Sequence, residues 1–320
     1  MKTQRILQVI TDTDRRGAQV FASDLHAELA RLGYDVRTVA LAPGTTGGLD
    51  VPVLGTKRIS ASSLRALRRE LTGAEITIAH GSSTLPACAI AGLGTRSPFV
   101  YRQISDSRFW AATPARRMRV RGGLRRAARV VTLWDGAAAT VAEMFAVSPA
   151  KIRVIPNGVP PDAFSVSDAA TRRAARVEFG LDPARPTVVS IGALVPEKGV
   201  DLTVRAVGEI PTAQLLVVGE GSERPSLEGL ADDVAPGRVT FAGSVGDAAR
   251  AYATADVVVL ASRGGDSMPA VLIEAGLSGL PTVATPIGGI PDIVLDGESG
   301  ILVTVDAVGE LTAALRRLCA

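Results

Sequence analysis

Short strand-like apolar runs recur along the whole chain, separated by longer stretches whose apolar residues return at helical spacing. In the first half the runs at 6–10, 36–41, 76–79, 99–101, 129–133 and 153–155 are expected to be strands. In the second half the same holds for 187–191, 214–218, 239–241, 257–260, 282–284 and 301–303. Helices are expected at 18–32, which stops at Gly33 as a C-terminal glycine should, and at 200–208, 223–231, 248–253, 269–278 and 308–318. Regular alternation of this kind predicts parallel sheets with crossover helices.

The alternation breaks at "IPNGVPPDAF", residues 155–164, which is dense in turn formers. Two open α/β units are therefore expected, 1–160 and 161–320. The total of 320 residues suits two cores better than one. In such sheets ligands sit beyond the carboxyl ends of the strands, so a cleft between two facing units is the expected site.

Charge sharpens the division. Residues 1–160 hold 23 Lys+Arg and 11 Asp+Glu, whereas 161–320 hold 12 and 21. A basic first half favours an anionic ligand, a lipid surface or a nucleic acid, or is a set of solvated faces. No apolar run is long enough for a membrane span, and the N-terminal apolar stretch is too short and interrupted for a signal peptide. With only Cys88 and Cys319, neither in a metal-type spacing, a reduced cytoplasmic protein is expected.

Several strand-to-helix junctions carry chemistry. In "VVSIGALVPEKGVDL" a strand runs into Gly192, and Lys198 stands where the next helix starts, a natural phosphate position. Lys198 is one of four lysines against 31 arginines; the plainer reading is a solvated loop lysine. In "VVGEGSERPSLEGLA" Gly219 and Gly221 allow close backbone approach, but Arg224 breaks the G-x-G-x-x-G spacing, and a tight turn explains the pair equally well.

"RGGDSMPAVLIEAG" places Asp266 and Met268 in a loop, Pro269 at the first helical position and Glu274 in an otherwise apolar helix. Carboxylates so placed accept hydrogen bonds from sugar hydroxyls; alternatively Glu274 is a surface residue. Gly288-Gly289 before Pro291 forms another anion cradle or a plain turn. Arg16-Gly17 lies between the first strand and the first helix, a further dipole-assisted anion site. His80 ends the strand "ITIAH", and His26 falls mid-helix without evident role. Seven arginines fall between Ala115 and Val130, a solvated face or a dock for anionic lipid headgroups at Arg116 to Arg129. Gly122-Gly123 is expected to interrupt that run. Nucleic acid is disfavoured, since no aromatic-rich module accompanies the arginines.

Taken in order, "RGAQVFASDLHAELARLGYDV", "AHGS", "KIRVIPNGV", "VPEKGVDL", "VVGEGSERPSLE", "GDSMPAVLIEAGLSGLPTVAT" and "GGIPDIVLDGESGILV" resemble the retaining glycosyltransferases of family 4, which have the GT-B fold. The resemblance covers most of the chain. It implies an α/β fold of two Rossmann-like, doubly wound domains facing across a cleft. The N-terminal domain would bind the acceptor and the C-terminal domain a nucleoside diphosphate sugar. It further implies a front-face reaction with neither cofactor nor metal.

By the same resemblance Glu274 would bind the ribose and Asp266 would lie near the donor sugar. Lys198 would hold the diphosphate, Gly17 would bring backbone N–H groups to it, and His80 would contact the sugar or steady developing charge. Arg16, Gly192, Gly219, Met268 and Pro269 complete the expected donor site.

Departures from the family pattern are Ala193 in place of an arginine, Asp266 in place of glutamate, and Arg16-Gly17 in place of Gly-Gly. Arg263 or Arg16 is expected to replace the missing cation. Because the sequence ends at Ala320, the family's C-terminal crossover is expected to be absent or shortened. The alternative function is a non-catalytic nucleotide-sugar binder or scaffold; a third is sugar-nucleotide epimerisation.

Overall fold

The computed structural model describes residues 4–45 and 48–319. It divides between Gly158 and Val159 into two compact units. The first contains β1 (Arg5–Ile10), α1 (Gly17–Arg31), β2 (Asp35–Ala40), α2 (Ala61–Thr72), β3 (Ile76–His80), α3 (Thr84–Ala91) and β4 (Phe99–Arg102). It continues with α4 (Ser107–Trp110), α5 (Pro114–Arg126), β5 (Arg129–Thr132), α6 (Asp135–Phe145) and β6 (Ile152–Val154).

The second contains α7 (Ala169–Glu178), β7 (Thr187–Ile191), α8 (Val200–Gly208), β8 (Gln214–Val218), α9 (Arg224–Val234), β9 (Val239–Gly243) and α10 (Ala248–Tyr252). It ends with β10 (Val257–Leu260), α11 (Ala270–Leu277), β11 (Thr282–Ala284), β12 (Gly300–Leu302) and α12 (Val308–Leu318).

Every pairing between these strands is parallel. The first sheet runs β2-β1-β3-β4-β5-β6 and the second β12-β11-β10-β7-β8-β9. The second order is the dinucleotide-binding winding; the first is the flavodoxin-type winding carried one strand further. Successive strand residues feed opposite layers. Val188, Leu215, Val217 and Val257 join one apolar cluster, and Val189, Leu216, Val218 and Val258 another. The expected α/β, doubly wound architecture is thus present in each unit.

Topology also says where ligands should go. The strand order reverses between β1 and β3 in the first sheet and between β7 and β10 in the second, and crevices form beyond the carboxyl ends at such switch points. His80 is the last residue of β3, Lys198 follows β7, and Asp266 follows β10.

Two expectations are corrected. Pro269 is the N-cap of α11, not its first turn, with ψ of 121° keeping it extended. Gly122-Gly123 does not interrupt the arginine run: α5 passes through both. Gly123 is buried, and a Cβ there would stand 2.8 Å from Leu85, so the glycine serves helix packing rather than helix breaking. No helix among the described residues is long and apolar enough to cross a membrane.

Candidate functional site

In the second unit, Lys198 closes a single 3-10 turn, Pro196–Lys198, held by the Lys198 amide donating to the Val195 carbonyl. Gly199 follows in the left-handed region at φ 61°, and a Cβ there would lie 2.1 Å from the Ala261 carbonyl oxygen. Only glycine lets this turn pack against the end of β10. The Arg263 amide then donates to the Glu197 carbonyl at 2.7 Å and locks the two loops together.

The result is a pair. Lys198 Nζ donates to Asp266 Oδ1 at 2.5 Å, with side chains only 24% and 11% exposed. Ser262 Oγ donates to the other carboxylate oxygen at 2.5 Å. A third loop supports the pair from below. A Cβ at Gly288 would meet the Asp266 carbonyl oxygen at 2.3 Å, and the Gly289 amide donates to the Ser267 carbonyl. The Gly288-Gly289 stretch is therefore a prop for the Asp266 loop, and the Gly289 N–H is already used.

Glu274 is held by a different partner. It projects from α11 half-buried, and the Tyr252 hydroxyl donates to its Oε2 at 2.7 Å. Tyr252 is itself buried, and burial beside that carboxylate pushes its phenol well above the usual range. Met268 is buried and Pro269 half-buried at the mouth of the same helix.

The glycines sort into two groups. A Cβ on Gly219 would lie 1.9 Å from the Gly192 carbonyl oxygen, and one on Gly221 would lie 2.1 Å from that of Leu194. These two serve the contact between the loops after β7 and β8. Gly17 and Gly192 have open space where a Cβ would stand, so packing gives no reason for them.

Neither expected replacement cation is unengaged. Arg263 grips Asp201 through two bonds of 2.7 and 2.8 Å and reaches Asp306 at 2.6 Å. Those carboxylates raise its pKa and make it a staple between loops. Arg16, half-exposed, binds Asp12 at 2.6 Å. Ala193, exposed in the loop after β7, supplies no charge.

The first unit has a pocket of about 310 Å³ at its own switch point. Its walls include Thr11, Arg16, Arg58, His80, Ser82 and Ser105. Buried Asp12 orders one wall, accepting from Arg16, from Arg58 at 2.9 Å and from Gln19 at 2.8 Å. His80 is 1% exposed; its Nε2 meets Gln8 Oε1 at 3.0 Å, and Phe21 lies against it. Burial, with Arg102 alongside, pushes its pKa down to about 3, so the ring is neutral at pH 7. Arg102 is 5% exposed, stacks at 3.5 Å over Phe21 and bonds Asn157; burial pushes its pKa down to about 9.

His26 is engaged after all, with Nδ1 2.9 Å from Thr38 Oγ1. Sequence reading missed Gln8, Ser262, Tyr252 and Arg58. The signal for the first three was a polar residue inside or closing an apolar run, a position that requires a partner.

Residues 15–163 match Glycosyltransferase Family 4, and residues 185–320 match Glycosyl transferases group 1. Over 203 residues the chain is 36% identical to D-inositol 3-phosphate glycosyltransferase of Mycobacterium tuberculosis and of Mycobacterium bovis. That segment is 60% of this chain and 42% of those relatives, so the chain spans less than half the length of the curated relatives it matches.

Anabaena HepE in complex with UDP-glucose superposes with a TM-score of 0.85 at 22% identity, over 98% of this chain and 89% of that one. Sucrose-phosphate synthase from Thermosynechococcus elongatus does so with 0.83 at 21%, over the same shares. Both likenesses show the fold.

Proposed function

Since the chain belongs to the group 1, family 4 glycosyltransferases, we propose that it moves a sugar from a nucleoside diphosphate sugar to an acceptor hydroxyl, with retained anomeric configuration and without a metal. The observation that carries the reading is the Lys198–Asp266 pair at the carboxyl ends of β7 and β10. An ammonium there, in the same β7–α8 connection as the open backbone at Gly192, suits a diphosphate. The UDP-glucose held by Anabaena HepE supports the same donor class, and the glycosyltransferase activity named for the mycobacterial relatives supports sugar transfer.

In the proposed reaction the bond from the anomeric carbon to the diphosphate oxygen breaks, and a bond from that carbon to the acceptor oxygen forms on the same face. The acceptor proton passes to the departing phosphate oxygen. Lys198 offsets the charge that builds on the leaving group, an interaction stronger in the transition state than before it. Glu274, steadied by Tyr252, takes the ribose hydroxyls, and Asp266 lies near the sugar. The first unit binds the acceptor.

The surface of helix α5 supports an acceptor of membrane origin. Its exposed positions hold Arg116, Arg117, Arg119, Arg121, Arg125 and Arg126 around Met118, which is 75% exposed, with no acidic residue in the helix. Such a face suits anionic headgroups, with peripheral contact to a membrane.

Donor turnover followed by NMR, with a panel of sugar nucleotides and acceptors, tests the reading; inversion at the anomeric carbon refutes retention. A second reading, a binder without turnover, rests on Ala193 together with the engagement of Arg16 and Arg263 by carboxylates. Tight donor binding with no product for any acceptor would favour it.

A further inference from the structure

The face of the first sheet that packs on α1 carries a row of polar side chains. Gln8 is wholly buried in β1, Thr38 stands directly beside it in the β1–β2 register, and His80 closes β3 on the other side. Hydrogen-bond chemistry fixes the direction of the bonds that Gln8 makes in this row. The Ala22 carbonyl can only accept, so the Gln8 atom 2.9 Å from it is the amide nitrogen. That nitrogen also reaches Thr38 Oγ1 at 3.3 Å, which uses its second proton. Gln8 Oε1 is left facing His80 Nε2 at 3.0 Å. An amide oxygen only accepts, so the neutral imidazole must carry its proton on Nε2. Nδ1 is then the lone-pair nitrogen. It is buried and has no hydrogen-bond partner among the described residues, and His80 is one of the residues that line the pocket.

We propose that Gln8 is a positioning residue that locks His80 in the Nε2–H tautomer, so that a ligand in the first-unit pocket meets a hydrogen-bond acceptor at Nδ1. The chemistry this selects is a hydroxyl able to donate; a carbonyl or phosphate oxygen at that point finds no proton. The ligand half of the inference rests on the glycosyl-transfer reading, whereas the tautomer half does not.

The chain has only two histidines, which makes the test direct. Long-range proton–nitrogen NMR of the full chain at pH 7, with the His80 signals assigned by their loss in His80→Gln, reports which nitrogen of each ring is protonated. The expected result is a single Nε2–H form for His80, whose Nδ1 resonance moves when UDP-glucose is added. An Nδ1–H form, or a mixture, in the wild-type chain overturns the proposal whatever the variants do.

Gln8→Leu keeps the volume and removes the acceptor. It is expected to give mixed tautomers and about a tenfold loss in kcat/KM. A folded Gln8→Leu chain with His80 still wholly in the Nε2–H form overturns the role of Gln8. An Nδ1 resonance that never moves in a chain that turns over donor overturns the ligand half. Failure of the glycosyl-transfer reading would look different: no sugar nucleotide consumed, with the tautomer pattern intact.

Discussion

Asp266→Asn should tighten the binding of a nucleoside diphosphate. Without ligand, Lys198 Nζ rests 2.5 Å from Asp266 Oδ1, and a diphosphate entering beside it competes with that carboxylate for the ammonium. Asparagine keeps the shape and a neutral acceptor but loses the charge. A hydrogen bond to a charged partner contributes about 1.5–3 kcal/mol and a neutral one about 0.5–1.5, so the competition relieved is about 1–2 kcal/mol. The pair is mostly shielded from water, so little of this is lost to screening. The expected gain in affinity is about five- to thirtyfold. Lys198→Ala removes the ammonium itself and should cost about ten- to a hundredfold by the same arithmetic. Calorimetric titration with UDP and with GDP reads both changes and leaves out the sugar, which Asp266 is also proposed to approach. An Asp266→Asn chain that binds no tighter than wild type, beside a Lys198→Ala chain that binds equally well, would refute the reasoning.

Four further outcomes are expected. Tyr252→Phe removes the hydroxyl that bonds Glu274 and should cost about 1 kcal/mol of stability, read by urea unfolding, and weaken UDP binding severalfold. Gly199→Ala forces a Cβ against the Ala261 carbonyl at a left-handed backbone position, for at least about 1–2 kcal/mol, visible as a fall in Tm. Folded His80 resists protonation down to about pH 3, while the unfolded chain takes that proton near pH 6.5. Its contribution to stability is therefore complete above about pH 6.5 and is lost as pH falls towards 3, by up to about 2 kcal/mol between 6.5 and 5. His80→Gln should flatten that slope in urea midpoints, and an unchanged slope counts against a neutral buried ring. Finally, Arg119→Glu with Arg125→Glu should abolish sedimentation with phosphatidylglycerol vesicles while leaving UDP binding intact; equal sedimentation removes α5 as the contact.

Much of the fold was legible because each strand is a compact apolar run, and all twelve lie where such runs occur, with ends shifted by a residue or two. The helix through Gly122-Gly123 was not, because glycine's cost in a helix is small beside the packing of Gly123 on Leu85. Candidate site positions could be named from local spacing, but what holds them could not. Arg263 meets Asp201 from 62 residues away, and His80 meets Gln8 from 72. No periodicity encodes such pairs. The glycines show the same limit: in sequence Gly17 and Gly219 look alike, yet one borders open space and the other is demanded by a neighbouring carbonyl.

Main-chain contacts bolt the three loops that follow β7, β10 and β11 to one another at Gly199, the Glu197 carbonyl, Gly288 and the Ser267 carbonyl. Like stones in an arch, none can be lengthened or shortened alone. Diversification of this edge should therefore proceed by exchanging side chains, while insertions accumulate in connections outside the arch.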